Sequence, residues 1–465
     1  MSVGRDYPRE RPRLLPRRRQ TAAELDLKDL QGNLVRGYTY PVGAYVFVGV
    51  ADAAHGRAWL RGLVDQVTTA EPWGPDGAPE TTLNLSFTYT GLVALGVDAA
   101  LLATFPEDFR EGMAARAHLL GDIGESAPEH WEAGLGTGEA HVLVTLYGID
   151  EESLERARAE LEASFDEAVT VVHEQRSETL PEGRDHFGFK DGIAQPALKG
   201  SGAEPRPGDG LPNPAGGWRE LAPGEFILGY HDEDGGLPLA PMPPFDCNST
   251  YVVYRKMQMH PGRMRAYLQR IANGRDPDVL AAKLVGRWQD GTPLVSSPHG
   301  PDPGIANDPA RVNDFRYAGD PQGMACPIGA HVRRANPRDD DGFFGGKLSD
   351  RHRIIRRGRP YGPPLADDVL EDDGEDRGLI FKCYQADIER QFEMIQSLWI
   401  DDGDSFGVGD DKDPIIGLHS EGGGRMIVQG RPPVVMSKLP TFVTVRGGEY
   451  LVRPGVRALR WLARP

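Results

Sequence analysis

Cysteine is scarce in this 465-residue chain, and so are long apolar runs and basic charge. The three cysteines, Cys247, Cys326 and Cys383, include no CxxC pair. Their odd number and wide spacing argue against a disulfide framework and a structural zinc site. No apolar run approaches the roughly 18 residues of a membrane span. Because the net charge is −17, a nucleic-acid backbone would repel the chain. We expect neither a membrane nor a nucleic acid as its partner.

An export signal is also missing. Six arginines lie among residues 9–19, but polar residues 20–26 follow them where a leader would have an apolar region. We therefore predict a disordered basic arm at residues 1–28. The few cysteines and the missing signal favour a cytoplasmic protein, while encapsulation or export with a partner stays open.

The first half of the chain alternates between strand-like and helix-like patterns. Its helical patterns cover residues 98–120 and 151–165. Its short, β-rich apolar segments are at residues 44–50, 81–89, 141–147 and 170–174. The resulting order is typical of a ferredoxin-like α+β unit, in which helices cover one face of an antiparallel sheet.

The pattern then restarts after a stretch rich in Gly and Pro. Strands are predicted at residues 251–254, 379–384 and 442–445, and helices at 261–273, 277–288 and 388–400. In the last of these helices, Phe392, Ile395 and Leu398 are expected to point inward. We predict an N-terminal ferredoxin-like unit at 29–200, a linker at 201–225 and a second such unit at 226–465. Residues 290–325, long and poorly periodic, are typical of a loop that covers a cofactor.

One candidate for chemistry is Asp191, in the segment GFKDGIAQP at residues 188–196. Asp-Gly is a favoured turn dipeptide, so this Asp could merely cap backbone N–H groups. A second candidate is His331, in CPIGAHVRRANPR at residues 326–338. Its basic surroundings suit the binding of carboxylates. The alternatives are a basic surface loop or a metal site shared with Cys326, although one Cys and one His cannot close a zinc site.

A third candidate is Arg356, in RIIRRGRPYG at residues 353–362. Two β-branched residues between arginines predict a short strand, which could equally be a salt-bridged edge strand. An Asp in a glycine turn, then a lone His and a later Arg, indicate a haem peroxidase when they occur in this order.

Together these segments resemble the dye-decolorising peroxidase family, in its larger fungal-type and actinobacterial branch. The GxxDG turn, the His of CPxxAHxRxxNPR and the Arg of IxRRGxPYG all match. Each motif alone is weak, but their joint order is specific. The resemblance runs from about residue 29 to the C-terminus, because further blocks match at residues 29–37, 224–230, 384–392 and 446–450.

The resemblance implies roles for individual residues. His331 would be the proximal ligand of the iron of haem b, with Asp413, or Asp387 as the weaker candidate, accepting its other ring N–H. Asp191 would take and return the peroxide proton on the distal side, and Arg356 would stabilise negative charge as the O–O bond breaks. Two further residues, Arg338 and Phe381, would bind a propionate and line the distal pocket. Phe381 could equally be an ordinary core residue.

The implied reaction is the reduction of H2O2 coupled to oxidation of phenolic or dye-like donors, and of Mn(II) as a further candidate. A distal Asp in place of His predicts an optimum at acid pH. Bulky donors would need a surface aromatic as relay, for which Tyr361 is one candidate. Whether the chain forms a homo-oligomer stays open. The alternatives are a non-catalytic haem-binding or haem-handling protein, which would not need Asp191 and Arg356, and a hydrolase, for which no GxSxG motif is present.

Overall fold

The computed structural model describes residues 24–74, 77–203, 205–213, 215–340, 347–419 and 422–465. Most of the predicted basic arm, residues 1–23, lies outside the described residues. Its last residues are described: Leu25 is buried and Asp26 pairs with Arg457. None of the helices in these ranges combines the length and the apolar composition needed to cross a membrane.

The described part of the chain forms thirteen strands. They are β1 (Val42–Val50), β2 (Thr81–Phe87), β3 (Val142–Gly148), β4 (Val169–Glu178), β5 (Leu211–Pro212), β6 (Trp218–Arg219), β7 (Thr250–Met259), β8 (Ile355–Arg356), β9 (Arg359–Tyr361), β10 (Gly378–Gln385), β11 (Gly424–Val428), β12 (Val434–Leu439) and β13 (Val443–Arg453). β5 pairs with β6 and β11 with β12; the other nine strands form one sheet.

Helices connect these strands, and Asp residues begin several of them. Asp52, Asp150 and Asp276 each accept a hydrogen bond from a first-turn N–H of the helix that follows. The α-helices are α1 (Gly32–Val35), α2 (Ala53–Leu63), α3 (Tyr89–Ala94), α4 (Ala99–Leu102), α5 (Glu107–Glu111), α6 (Glu151–Glu162), α7 (Pro261–Ala272), α8 (Pro277–Val285), α9 (Pro303–Ala306), α10 (His331–Ala335), α11 (Lys347–Arg351) and α12 (Val456–Leu462).

The large sheet consists of two halves with the same strand order. The first half runs β4-β1-β3-β2, and the second runs β13-β7-β10 with β8 and β9 both beside β10. Each half therefore places its last strand beside its first, which is the order of a ferredoxin-like unit. The halves join where Val452 of β13 pairs with Phe87 of β2. The predicted α+β fold class, two ferredoxin-like units with antiparallel strands, is confirmed.

The sheet curves until its two halves face each other. Along β1, alternate side chains point to opposite faces, as a pleated strand requires. Val46 and Val48 pack beneath the helices of the first half. Tyr45 and Phe47 point the other way, where their rings lie 5.5 and 4.9 Å from the ring of Tyr254 in β7. Because β1 and β7 are not neighbours in the sheet, these contacts cross the interior of a barrel, and we call this space the barrel interior.

The single helix predicted at residues 98–120 is wrong. The chain instead forms α4, α5 and a 3-10 turn at Ala114–Arg116. Pro106 stands at the N-cap of α5, and Gly112 ends that helix with φ of 78°. Pro disfavours the helical conformation for the residue before it, and positive φ suits Gly, so both residues divide the apolar pattern into short turns.

The helix predicted at residues 388–400 is present, but its inward face differs. It is wound as a π-helix over Glu389–Glu393 and Ile395–Ile400, and we call it the π helix. Phe392 and Ile395 are buried as predicted, whereas Leu398 is 45% exposed and Ile400 is only 1% exposed. A π turn takes more residues than an α turn, so the buried stripe drifts along the chain.

The predicted linker packs against the rest of the chain. Leu211 and Leu221 of this segment are buried in the same apolar cluster as Tyr45. The long segment at 290–325 is held partly by Arg287, whose guanidinium donates to the carbonyls of Gly291 and Val312. The division of the chain into an arm, two units and a linker stays a prediction.

Candidate functional site

A cavity of about 280 Å³ opens between β7, β10, α8, α10 and the π helix. Residues 185–196 close it from the end of the first half of the chain. Its walls are mostly apolar and include Phe187, Phe189, Met257, Val285, Leu379, Phe381, Phe392, Ile395, Ile415 and Val443. An apolar cavity with a few polar groups is typical of a site for a cofactor.

His331 begins α10 and faces this cavity. Its side chain keeps 28% of its surface open, and it lines the cavity. Nδ1 lies 2.9 Å from Oδ2 of Asp413, which leaves Nε2 as the nitrogen available to a ligand. Burial lowers the pKa of His331, but the charge and hydrogen bond of Asp413 outweigh burial and raise it overall.

Asp413 is fully buried and is itself held in place. Its Oδ1 accepts hydrogen bonds from the N–H groups of Ile415 and Ile416, each at 2.9 Å. Burial raises the pKa of Asp413, but the charge and hydrogen bond of His331 lower it by more. The pKa of Asp413 is therefore below its ordinary value. Asp387, the weaker candidate, instead accepts from the backbone N–H of Arg390 at the start of the π helix.

Asp191 and Arg356 come together at another part of the same cavity. Nη1 of Arg356 lies 3.4 Å from Oδ1 of Asp191. Arg356 belongs to β8, and its backbone N–H donates to Oε1 of Gln195 at 3.0 Å, so the segment that carries Asp191 is tied to that strand. Within the described ranges, Arg356 is the hydrogen-bond partner of the Asp191 carboxylate, and no backbone N–H is capped by it.

A second carboxylate, Asp185, lines the cavity and was not predicted. Its Oδ1 accepts hydrogen bonds from the backbone N–H groups of Phe187 and Phe189, both at 2.9 Å. Burial raises the pKa of Asp185 to about 7, and the nearby charge of Asp191 also raises it. In the sequence, Asp185 looks like a turn-capping Asp, so only its spacing of six residues from Asp191 could have pointed to it.

Arg338 and Arg353 bring positive charge to the cavity. Arg338 has φ of 58°, donates to the carbonyl of Phe315 at 2.8 Å and stacks 3.8 Å from that ring's centroid. Burial lowers the pKa of Arg338 to about 9 and also lowers that of Arg353. Arg353 was not predicted from the sequence; its guanidinium donates a long hydrogen bond of 3.4 Å to the carbonyl of Asp209.

Of two other predicted residues, one lines the cavity and the other is buried away from solvent. Phe381 lies in β10 and contributes to the cavity wall, with its ring 5.9 Å from that of Phe392. Tyr361, a candidate relay to bulky donors, is only 1% exposed and bonds to Asp376. A donor outside the protein therefore cannot contact Tyr361 directly.

The donor set of the cavity fits haem. A flat apolar macrocycle needs apolar walls, one axial imidazole and cations for its two propionates, and the cavity has each of these. The alternative metal site with Cys326 does not fit, because the buried Cys326 is not among the residues that line this cavity with His331. Within the described ranges no group of three His, Cys, Asp or Glu side chains could hold a bare metal ion.

Comparison with known proteins agrees with this geometry. Two family models match: "DyP dimeric alpha+beta barrel domain" over residues 29–181, and "Dyp-type peroxidase, C-terminal" over residues 279–409. A dye-decolorizing peroxidase of Mycetinis scorodonius is 30% identical over 95% of this chain and 88% of its own length.

Solved structures agree as well. An ancestral D-type dye decolorizing peroxidase is 29% identical with a TM-score of 0.83, and a dye-decolorizing peroxidase in complex with 2,6-dimethoxyphenol is 28% identical with a TM-score of 0.81. Each similarity covers 95% of this chain and all of the other. The chain therefore belongs to the dye-decolorising peroxidase family.

Proposed function

We propose that this peroxidase reduces H2O2 with Asp191 and Arg356 as its distal residues and His331 as the axial ligand of haem b. The observation that carries the proposal is that the His331–Asp413 pair and the Asp191–Arg356 pair line one cavity. Family membership makes the chain an enzyme with a haem cofactor. It also argues against the non-catalytic haem-binding alternative and against a hydrolase.

When bound, haem would supply the iron that exchanges electrons with peroxide and then with the donor. Asp191 would accept a proton from one peroxide oxygen and return it to the other, which leaves as water. The guanidinium of Arg356, 3.4 Å from Asp191, would stabilise the negative charge that develops between these two proton transfers. Asp413 would orient His331 and keep its Nδ1 protonated, so that Nε2 is the ligand atom.

Arg338 and Arg353 are the residues we propose for the propionates. Arg338 already donates hydrogen bonds to the carbonyls of Asn313 and Phe315, and these bonds fix its orientation. The guanidinium of Arg353 makes a longer hydrogen bond than those of Arg338 within the described residues, so its N–H groups are more available to a propionate. Phe381 would form part of the wall above the peroxide.

For donors, we propose phenolic and dye-like organic molecules. The structural relative bound to 2,6-dimethoxyphenol supports a phenol as one such donor. Mn(II) stays a second candidate donor. Steady-state rates with a phenol, an anthraquinone dye and Mn(II), compared under the same conditions, would rank these three classes.

Assembly and location are also proposals. The two halves of a single chain already form the barrel, so a homo-oligomer is proposed only as a further level of assembly. Light scattering after size-exclusion chromatography would give the mass in solution. The cytoplasm is the expected location, and fractionation of producing cells would test it against export or encapsulation.

The experiment that tests the proposed function is a spectral titration. Purified protein is loaded with haem and its Soret band is recorded before and after one equivalent of H2O2. We expect a rapid shift of the band, and we expect His331→Ala to lose the axial imidazole signature. A Soret band that does not change when H2O2 is added would contradict the proposal. So would a His331→Ala variant whose spectrum equals that of the wild type.

A further inference from the structure

Three cations lie in the barrel interior, away from the cavity that His331 lines. They are Lys382 of β10, Arg453 at the end of β13 and Arg359 of β9. All three are at least nine-tenths buried, and Lys382 is fully buried. Three positive charges in one buried space are costly unless something compensates them.

Two tyrosine rings bring these cations to a common space. Nζ of Lys382 lies 5.7 Å from the ring centroid of Tyr147 and 5.7 Å from that of Tyr384. The guanidinium carbon of Arg359 lies 5.1 Å from the Tyr147 centroid, and that of Arg453 lies 4.9 Å from the Tyr384 centroid. Each ring is thus shared between Lys382 and one arginine, so the three cations lie around these two rings.

Arg359 donates through Nη2 to the Tyr40 carbonyl and Oγ1 of Thr179, and Arg453 donates through Nε to Oγ of Ser86. In the described part of the chain, other donors of these cations lack acceptors. Within the described residues, both Nη atoms of Arg453 and Nε of Arg359 are buried without a hydrogen-bond partner. Lys382 donates to Oγ1 of Thr145 at 3.4 Å, its one hydrogen bond to a side chain in the described ranges. The Tyr384 hydroxyl is also without a partner within these residues. Contacts with aromatic faces offset part of the charge, but they do not satisfy directional N–H donors.

Two buried cations on β7 are paired with carboxylates, unlike the three cations of the cluster. Lys256, on the adjacent strand β7, contacts carboxylates of Glu132 and Asp376 at 2.5 and 2.7 Å. Arg255 pairs with Asp122 at 2.5 Å. By contrast, burial holds the pKa of Lys382 well below its ordinary value, and the nearby arginines lower it further. Within the described residues, no ion pair joins Lys382, Arg359 or Arg453 to a carboxylate.

A second cavity reaches one edge of this cluster. This cavity, of about 570 Å³, is lined by Tyr38, Tyr147, Arg357 and Arg359, and Arg36 adds a further cation to its wall. Tyr147 and Arg359 belong both to this cavity and to the cluster. An anion entering the cavity would meet Arg357 and Arg359, whereas Lys382 and Arg453 do not line it.

We propose that the barrel interior binds a small oxyanion, a carboxylate or an inorganic phosphate, between Lys382, Arg359 and Arg453. The two Nη atoms of an arginine form a planar fork that matches two oxygens of such a head group. The bound anion would join β9, β10 and β13 from inside the barrel. This inference does not depend on the proposed roles of Asp191 and Arg356.

Calorimetric titration of the haem-loaded full chain tests this proposal. Sodium phosphate and sodium acetate are added separately at low ionic strength, while the Soret band reports any binding at the haem. We expect one saturable site per chain for at least one anion, without a Soret change. Lys382→Met should weaken that affinity at least tenfold.

Lys256→Met is the matched control, because Lys256 is equally buried but already paired. It should leave the anion affinity unchanged, as should Lys28→Met, which alters an exposed lysine. No saturable binding of either anion, or equal affinities in Lys382→Met and the wild type, would overturn the proposal.

A second measurement keeps the test decisive if Lys382→Met does not fold. Crystals of the wild-type protein soaked in selenate should give an anomalous peak within hydrogen-bonding distance of Lys382 or Arg453. Density for water alone between these side chains would contradict the proposal.

Discussion

Nδ1 of His331 lies 2.9 Å from Oδ2 of the fully buried Asp413, although 82 residues separate them in the chain. Two backbone N–H groups hold the other oxygen of this carboxylate. The pair is therefore rigid before any ligand binds, and it fixes which nitrogen of His331 faces the cavity. A carboxylate in this position raises the basicity of an axial imidazole.

Replacing Asp413 with Asn should weaken the hold on haem without unfolding the chain. The Asn carbonyl can still accept from Ile415 and Ile416, but the negative charge beside His331 is lost. We expect haem affinity or peroxidase activity to fall roughly 10- to 100-fold. Transfer of haem to an acceptor protein would measure the loss. Asp411→Asn, on the same segment but paired with Arg425, is the control, and equal losses in both variants would contradict this role.

Glu449 should make the protein less stable as pH rises. This side chain is buried and accepts one hydrogen bond, from the N–H of Gly136 at 2.6 Å. Burial raises its pKa to about 8, against about 4.3 in an unfolded chain. Between these two values the unfolded chain binds fewer protons than the folded one, so the free energy of unfolding falls as pH rises.

Glu449→Gln removes that dependence. The difference in free energy of unfolding, variant minus wild type, should increase from about pH 4 to about pH 8 and then level off. Urea unfolding at several pH values measures it, with exposed Glu129→Gln as control. A difference that does not change with pH would show that Glu449 ionises normally in the fold.

The π winding predicts unequal effects for two aliphatic residues of the same helix. Ile400 is 1% exposed and Leu398 is 45% exposed. Ile400→Ala should therefore cost about 2–5 kcal/mol of unfolding free energy. Leu398→Ala should stay within about 0.5 kcal/mol of the wild type. Comparable losses in the two variants would favour ordinary α-helical winding instead.

Peroxidase activity should peak at acid pH. A carboxylate remains a proton acceptor at pH values where an imidazole is already protonated, because an ordinary Asp titrates near 3.9 and an ordinary His near 6.5. The pH profile of kcat/KM for H2O2 checks this expectation. An optimum at neutral pH or above would count against a distal Asp.

Much of this architecture could be predicted from the sequence. Strands such as β1 are short, apolar and bounded by Gly, and the order of strands and helices identified both ferredoxin-like units. The motifs also identified His331, Asp191 and Arg356, which the fold brings to one cavity although they are far apart in the chain. Their proposed roles stay predictions.

Other features could not be predicted because local patterns do not contain them. The winding of the π helix changes which residue faces inward without changing the apolar composition. Asp185 and Arg353 look like ordinary turn and surface residues until the fold brings them to the cavity. The cations of the barrel interior are likewise far apart in sequence, and only the closure of the sheet brings them together.

The most direct test of the central claim is the second-order rate constant for the reaction of the haem-loaded protein with H2O2, measured by stopped flow. Asp191→Asn keeps the shape of the side chain but cannot accept the peroxide proton. We predict a fall of roughly 10²- to 10⁴-fold, while Asp65→Asn, at an exposed site, retains the wild-type rate. An Asp191→Asn variant that reacts with peroxide as fast as the wild type would contradict the account.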